Sequence, residues 1–153
     1  MQIPTEIMEK NKMRYIKSCG VIVYKTLENV NYYLIIRSNN GDFGFPKGHM
    51  EIGESETETA TRELLEETNT KAEIIEGFRR QIEYPMPKQT DVIKQAVYFL
   101  GRCTSDSIKP QESEVAEAVF LPYSDALAAL TFDDTKAILK STEEFIKINN
   151  LNL

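Results

Sequence analysis

The sequence predicts a mixed α and β fold in which helices pack on a mixed sheet. Strand-like β-branched and aromatic runs recur along the chain, starting with SCGVIVYK (Ser18–Lys25) and YYLIIR (Tyr32–Arg37). Two helical stretches interrupt them, one opening after Ser55 and one running from Asp133 to about Ile148. At 153 residues, a single domain with one ordinary core is expected over 1–153.

Taken in order, Met1–Met13 is polar, lacks the apolar region of a signal peptide, and is expected to be frayed or loosely docked. Ser18–Lys25 and Tyr32–Arg37 form a hairpin around the turn Glu28–Asn31. Ser38–Gly44 is a polar loop, and Phe45-Pro46-Lys47-Gly48 leads into an acidic stretch. Ser55 followed by Glu58 is a capping box, so a helix starts near Glu56. Ala60 and Leu64 give that helix a narrow apolar stripe. Asn69 stops it, because asparagine is the residue after glycine that best tolerates a left-handed conformation. Ala72–Tyr84 is a strand with a bulge at Gly77, ended by Pro85 and Pro87. Val92–Arg102 is a further strand, Thr104–Glu114 a polar loop, and Val115–Leu121 a shorter strand. Ser124 caps a short helix, Asp125–Leu130, and Asp133 caps the last one, with Ile138, Phe145 and Ile148 at helical spacing.

Composition excludes several classes. The net charge of −6 disfavours extended nucleic-acid binding through a basic face. No apolar run approaches the roughly 20 residues of a membrane span, so no membrane partner is expected. Cys19 and Cys103 have no metal or redox spacing and read as buried reduced thiols, which points by elimination to a cytoplasmic protein. His49 is the single histidine, so a His-rich zinc site cannot form and a Ser-His-Asp triad would depend on it.

The acidic helix carries the chemistry. Glu63, Glu66 and Glu67 are related by three and four residues and share one face. Like-charge neighbours of this kind cost only about 0.2–0.5 kcal/mol per pair, so a solvated acidic face is the ordinary reading. The same arrangement suits a hard divalent cation such as Mg²⁺, which takes one or two carboxylates and keeps positions for water and phosphate. The full pattern is more specific than either. It resembles the Nudix box, Gly-x5-Glu-x7-Arg-Glu-U-x-Glu-Glu-x-Gly-U with U aliphatic. Gly48, Glu54, Arg62, Glu63, Leu64, Glu66 and Glu67 occupy the matching positions. Asn69 replaces the second glycine and Thr70 the last aliphatic residue, and neither change touches an acidic group.

The resemblance implies an α/β/α sandwich and hydrolysis of a phosphoanhydride in a nucleoside diphosphate linked to another group. Pro46-Lys47-Gly48-His49, Ile75–Arg80, Tyr84, the Lys94–Leu100 strand and Ala128–Leu139 are similar to the branch that cleaves dinucleoside tetraphosphates asymmetrically. For the diadenosine substrate the implied products are ATP and AMP. The implied cofactor is Mg²⁺, with Mn²⁺ as second candidate, and the implied partner is a small nucleotide.

Residue by residue, Glu66 and Glu67 match the metal-binding pair, and Glu63 matches a metal ligand or general base. Arg62 would orient Glu63, while Glu54 and the Gly48 carbonyl match outer or additional metal contacts. Glu114 matches the distant glutamate that completes the cluster, with Glu112 and Glu117 as competitors. The proton acceptor stays open among Glu63, Glu66, Glu67 and Glu114. Lys47 would neutralise phosphate, with Lys88 and Lys94 as weaker candidates. Tyr84 and Phe132 match a base-stacking pair, Phe43 is a looser third, and His49 reads as structural. The alternatives are another Nudix activity, on nucleoside triphosphates or RNA 5′ ends, and a non-catalytic nucleotide sensor.

Overall fold

The computed structural model describes residues 13–152, so most of the expectation for Met1–Met13 lies outside the described residues. The strands are β1 (Arg14–Leu27), β2 (Val30–Ser38), β3 (Phe43–Gly44), β4 (Lys47–His49), β5 (Lys71–Met86), β6 (Gln89–Ser105) and β7 (Val115–Pro122). The helices are α1 (Glu56–Thr68), α2 (Tyr123–Ala129) and α3 (Asp133–Ile148). The sheet order is β3-β2-β1-β6-β5, with β4 also paired to β1 and β7 to β2. β1 and β6 run parallel, from Arg14 opposite Val92 to Tyr24 opposite Arg102, and the remaining pairs are antiparallel.

The uninterrupted apolar run of β1 follows from this topology. A central strand covered on both faces needs apolar residues at every position. Cys19, Val21 and Val23 pack with Ala60 and Leu64 of α1, whereas Ile22 and Tyr24 pack with Ile138, Leu139 and Ile146 of α3. The result is the expected α/β/α layering. On the α3 side, the buried carboxylate of Glu143 accepts hydrogen bonds from Tyr33 Oη at 2.7 Å and Asn31 Nδ2 at 2.9 Å, which ties helix to sheet.

Several boundaries move. β1 begins earlier than Ser18 because its ladder with β6 carries polar residues into the sheet. The hairpin turn narrows to Glu28 and Asn29, both with positive φ (51° and 66°), as a two-residue hairpin turn of type I′ requires. Within the predicted Ser38–Gly44 loop, Phe43–Gly44 pairs with β2. Pro85 does not end β5; it pairs opposite Ile93, which an edge strand tolerates because the missing N–H costs no ladder bond. Gly77 does mark a bulge, with φ 96° and a register shift between Ile75 and Arg79. Ser124 and Asp133 do not cap their helices: α2 starts after Pro122, and α3 is preceded by Phe132, with no side-chain cap bond at either. Ile148 is 70% exposed, and Leu139 and Ile146 join Ile138 in the core instead. Cys19 is buried, Cys103 partly so, and neither is in a disulfide.

Candidate active site

The site is built on α1. Ser55 Oγ accepts from the Glu58 N–H at 3.1 Å, and the Glu58 carboxylate accepts from the Ser55 N–H at 2.9 Å, so the capping box forms as expected. At the other end Asn69 adopts φ 57°, and its N–H donates to the Leu65 carbonyl at 2.9 Å. The helix therefore starts and stops where its acidic face faces β4 and the β6–β7 loop.

Arg62 organises that face. Its Nε donates to Glu54 at 2.6 Å and its Nη2 to the second Glu54 oxygen at 3.0 Å, a bidentate pair. Nη1 donates to Glu63 at 2.9 Å and Glu66 at 3.2 Å, and Nη2 also reaches the His49 carbonyl at 3.0 Å. The Arg62 guanidinium holds the Glu54 carboxyl down to about 2. Glu54 thus serves Arg62, with support from the Thr59 hydroxyl at 2.8 Å. Thr59 was missed from the sequence, where a small polar residue inside a helix gives no signal.

Glu63, Glu67 and Glu114 converge, with ligand oxygens all within 4.8 Å of one another. At an effective dielectric near 20, two carboxylates at that separation repel by about 3 kcal/mol. Burial first, and then the Glu63 charge, push the Glu67 carboxyl up to about 8, against a hydrogen bond of 2.8 Å from the Lys47 N–H. Burial likewise raises Glu63, with Arg62 opposing it. Such a cluster carries its full charge only with a counter-ion. Around Mg²⁺, with bonds of about 2.1 Å, ligand oxygens lie roughly 3–4 Å apart, so these three carboxylates fit a hard divalent cation after small rotations. Gly48 has no side chain where one would overlap the Glu63 carboxyl group, so the close approach of β4 to α1 requires glycine there.

Glu66 lies outside this trio, half-exposed beside Arg62. Of the two competitors of Glu114, Glu117 pairs with Arg37 at 3.4 Å, and Glu112 is exposed and does not join the trio.

Lys47 links the acidic cluster to the sheet. Its Nζ donates to Tyr84 Oη at 2.8 Å while its backbone holds Glu67. Lys94 sits opposite Tyr84 in the β5–β6 ladder, which puts both side chains on one face. Burial, and then the charges of Lys94 and Lys47, lower the pKa of His49. Tyr98, fully buried beneath, is raised by burial and further by Tyr84, Asp134 and Glu67, so the start of α3 approaches the same region. Phe132 precedes α3 and is 51% exposed. Its neighbour Thr131 is bound to Phe43 twice, at 2.8 and 3.2 Å, which places Phe43 beside it. Lys88 is at the exposed tip of the β5–β6 hairpin and shares no hydrogen bond or ion pair with the cluster among the described residues.

The NUDIX domain family matches residues 15–141. The rat asymmetrical bis(5′-nucleosyl)-tetraphosphatase is 28% identical over 143 residues, covering 86% of this chain and 95% of the relative. An RNA pyrophosphohydrolase from Nitratiruptor sp. is 30% identical over 153 residues, covering 92% and 97%. The binary complex of a C. elegans Ap4A hydrolase superposes with a TM-score of 0.78 at 22% identity, covering 86% of this chain and 98% of that one, so the fold is shared. No helix among the described residues is long and apolar enough to cross a membrane. With its acidic box intact and its family matched over most of its length, the chain belongs to the Nudix hydrolases, which generally work with divalent metal ions.

Proposed function

We propose that this Nudix hydrolase cleaves dinucleoside polyphosphates such as diadenosine tetraphosphate asymmetrically, giving ATP and AMP from that substrate. The observation that carries this reading is the continuous path from Glu67 through Lys47 to Tyr84, which joins an acidic cluster to a cation and an aromatic ring. The similarity to the rat tetraphosphatase supports it.

Glu63, Glu67 and Glu114 would hold the divalent cation, Mg²⁺ or Mn²⁺. When bound, it supplies positive charge to the phosphates and makes water more acidic. Arg62 keeps Glu63 oriented by a fixed fork and is itself held by Glu54. Glu66, solvated and outside the trio, takes the proton from the attacking water on the carboxylate oxygen that Arg62 leaves free. Lys47 Nζ, which reaches Tyr84, and Lys94, paired opposite Tyr84 in the ladder, balance phosphate charge. Tyr84 and Phe132 offer aromatic surface to a nucleobase, where stacking contributes about 1–3 kcal/mol.

A second reading, removal of phosphates from RNA 5′ ends, is favoured by the similarity to the Nitratiruptor enzyme. The net charge of −6 weighs against long RNA but not against a 5′ end alone. Comparing kcat/KM for diadenosine tetraphosphate, nucleoside triphosphates and 5′-triphosphate RNA separates the readings. The proposal expects the dinucleotide to lead by at least about tenfold, and a lead by RNA would overturn it.

A further inference from the structure

Residues 106–114, between β6 and β7, have no helix or strand of their own, yet they deliver Glu114 to within 4.8 Å of two other carboxylates. Glu114 itself is exposed, and packing does not hold it there. The loop is instead fastened to the end of α1 at three consecutive positions. The Gln111 N–H donates to the Glu67 carbonyl at 2.8 Å, and the Lys109 N–H to the Thr68 carbonyl at 2.9 Å. Asn69 Nδ2 then donates to the Ser107 carbonyl at 2.9 Å. The Gln111 carbonyl accepts from the N–H groups of Glu114 (3.0 Å) and Val115 (2.8 Å), closing the turn that presents the carboxylate. From the opposite side the Asn39 N–H donates to the Glu114 carbonyl at 3.2 Å, and Asn39 Nδ2 to the Glu112 carbonyl at 3.1 Å.

We propose that Asn69, which stands where the Nudix box carries glycine, is a positioning residue for Glu114: its side chain fastens the loop that brings this carboxylate into the cation site. The inference rests on the reading of Glu114 as a cation ligand. Its helix-stop role does not need the side chain, since glycine adopts φ 57° more readily than asparagine does. The amide does something glycine cannot, which is to donate to Ser107. The other two ties to α1 are between main-chain groups and are indifferent to residue type. Asn69 is therefore the one helix-side tie that a substitution removes without disturbing the backbone.

The test uses Asn69→Gly, Glu114→Gln and the double variant, with Mg²⁺ affinity by calorimetry and hydrogen exchange of the metal-free protein. Asn69→Gly should weaken Mg²⁺ binding about fivefold, the scale of one hydrogen bond. It should also speed exchange in residues 107–114 while leaving α1 exchange and the melting temperature near those of the parent. Glu114→Gln should weaken Mg²⁺ binding on its own, and adding Asn69→Gly should then cost nothing further, because the tether acts through Glu114. Parental Mg²⁺ affinity in Asn69→Gly, or the same fivefold loss in the Glu114→Gln background, would overturn the proposal alone. Parental affinity in Glu114→Gln would instead remove Glu114 from the cation site, and the proposal with it.

Discussion

Binding of Mg²⁺ should release a proton from Glu67, and the affinity should climb steeply with pH. Glu67 is 5% exposed and its carboxyl faces Glu63, so its pKa stands near 8 rather than at the ordinary 4.5. At pH 7 it is about nine-tenths protonated, and a cation can take only the ionised form. Close to one proton should therefore be released per Mg²⁺ at pH 7, and about half at pH 8. The apparent affinity should rise about fiftyfold between pH 6 and pH 8 and level off above pH 9. Burial raises Glu63 as well, which steepens the trend in the same direction. The metal-free protein should show the mirror image. A carboxyl whose folded pKa is raised contributes stability that is complete below its unfolded value and is lost as pH rises through about 8. Without metal, the melting temperature should therefore be lower at pH 9 than at pH 6, and saturating Mg²⁺ should remove the difference. Calorimetry in buffers of different ionisation enthalpy counts the protons directly. Glu67→Gln should remove most of the slope and of the release, leaving only the smaller share that Glu63 carries. No proton release, with affinity flat from pH 6 to 8 in the parent, would refute the assignment of Glu67 to the cation.

Three further outcomes test other parts of the site. Gly48→Ala should fold yet lose Mg²⁺ affinity by at least about tenfold, because the added methyl overlaps the Glu63 carboxyl group; titration of Mg²⁺ with circular dichroism as a folding control checks it. Glu66→Gln should lower kcat by about 10²–10⁴-fold, the range for loss of a general base, while Mg²⁺ affinity stays near that of the parent. Equal losses of binding and turnover would place Glu66 on the cation instead. Tyr84→Ala and Phe132→Ala should each raise KM about five- to a hundredfold, in line with the loss of one stacked base, and an unchanged KM in both would end the stacking assignment.

Much of this was legible in the sequence because the deciding groups are close together in the chain. The capping box, the Ala60–Leu64 stripe and the Asn69 stop are all local, and the structure holds each as read. The β1–β2 hairpin was legible for the same reason. What escaped depends on distant pairing. The extension of β1 back to Arg14 is set by β6, and Pro85 stays in β5 only because that strand lies at the sheet edge. Asp133 has good capping chemistry, yet it is already the first residue of α3, because the Phe132 carbonyl before it accepts from the Lys136 N–H. The link from Lys47 to both Glu67 and Tyr84 has no local signature at all, since it joins β4, α1 and β5. The bidentate pairing of Glu54 with Arg62 is likewise a matter of which way a side chain turns.

The most direct measurement is the product pair formed from diadenosine tetraphosphate by the pure protein with Mg²⁺, resolved by anion-exchange chromatography. The proposed activity predicts ATP and AMP in equal amounts. Two equivalents of ADP, or no turnover by folded protein that hydrolyses RNA 5′ ends or nucleoside triphosphates, would contradict it.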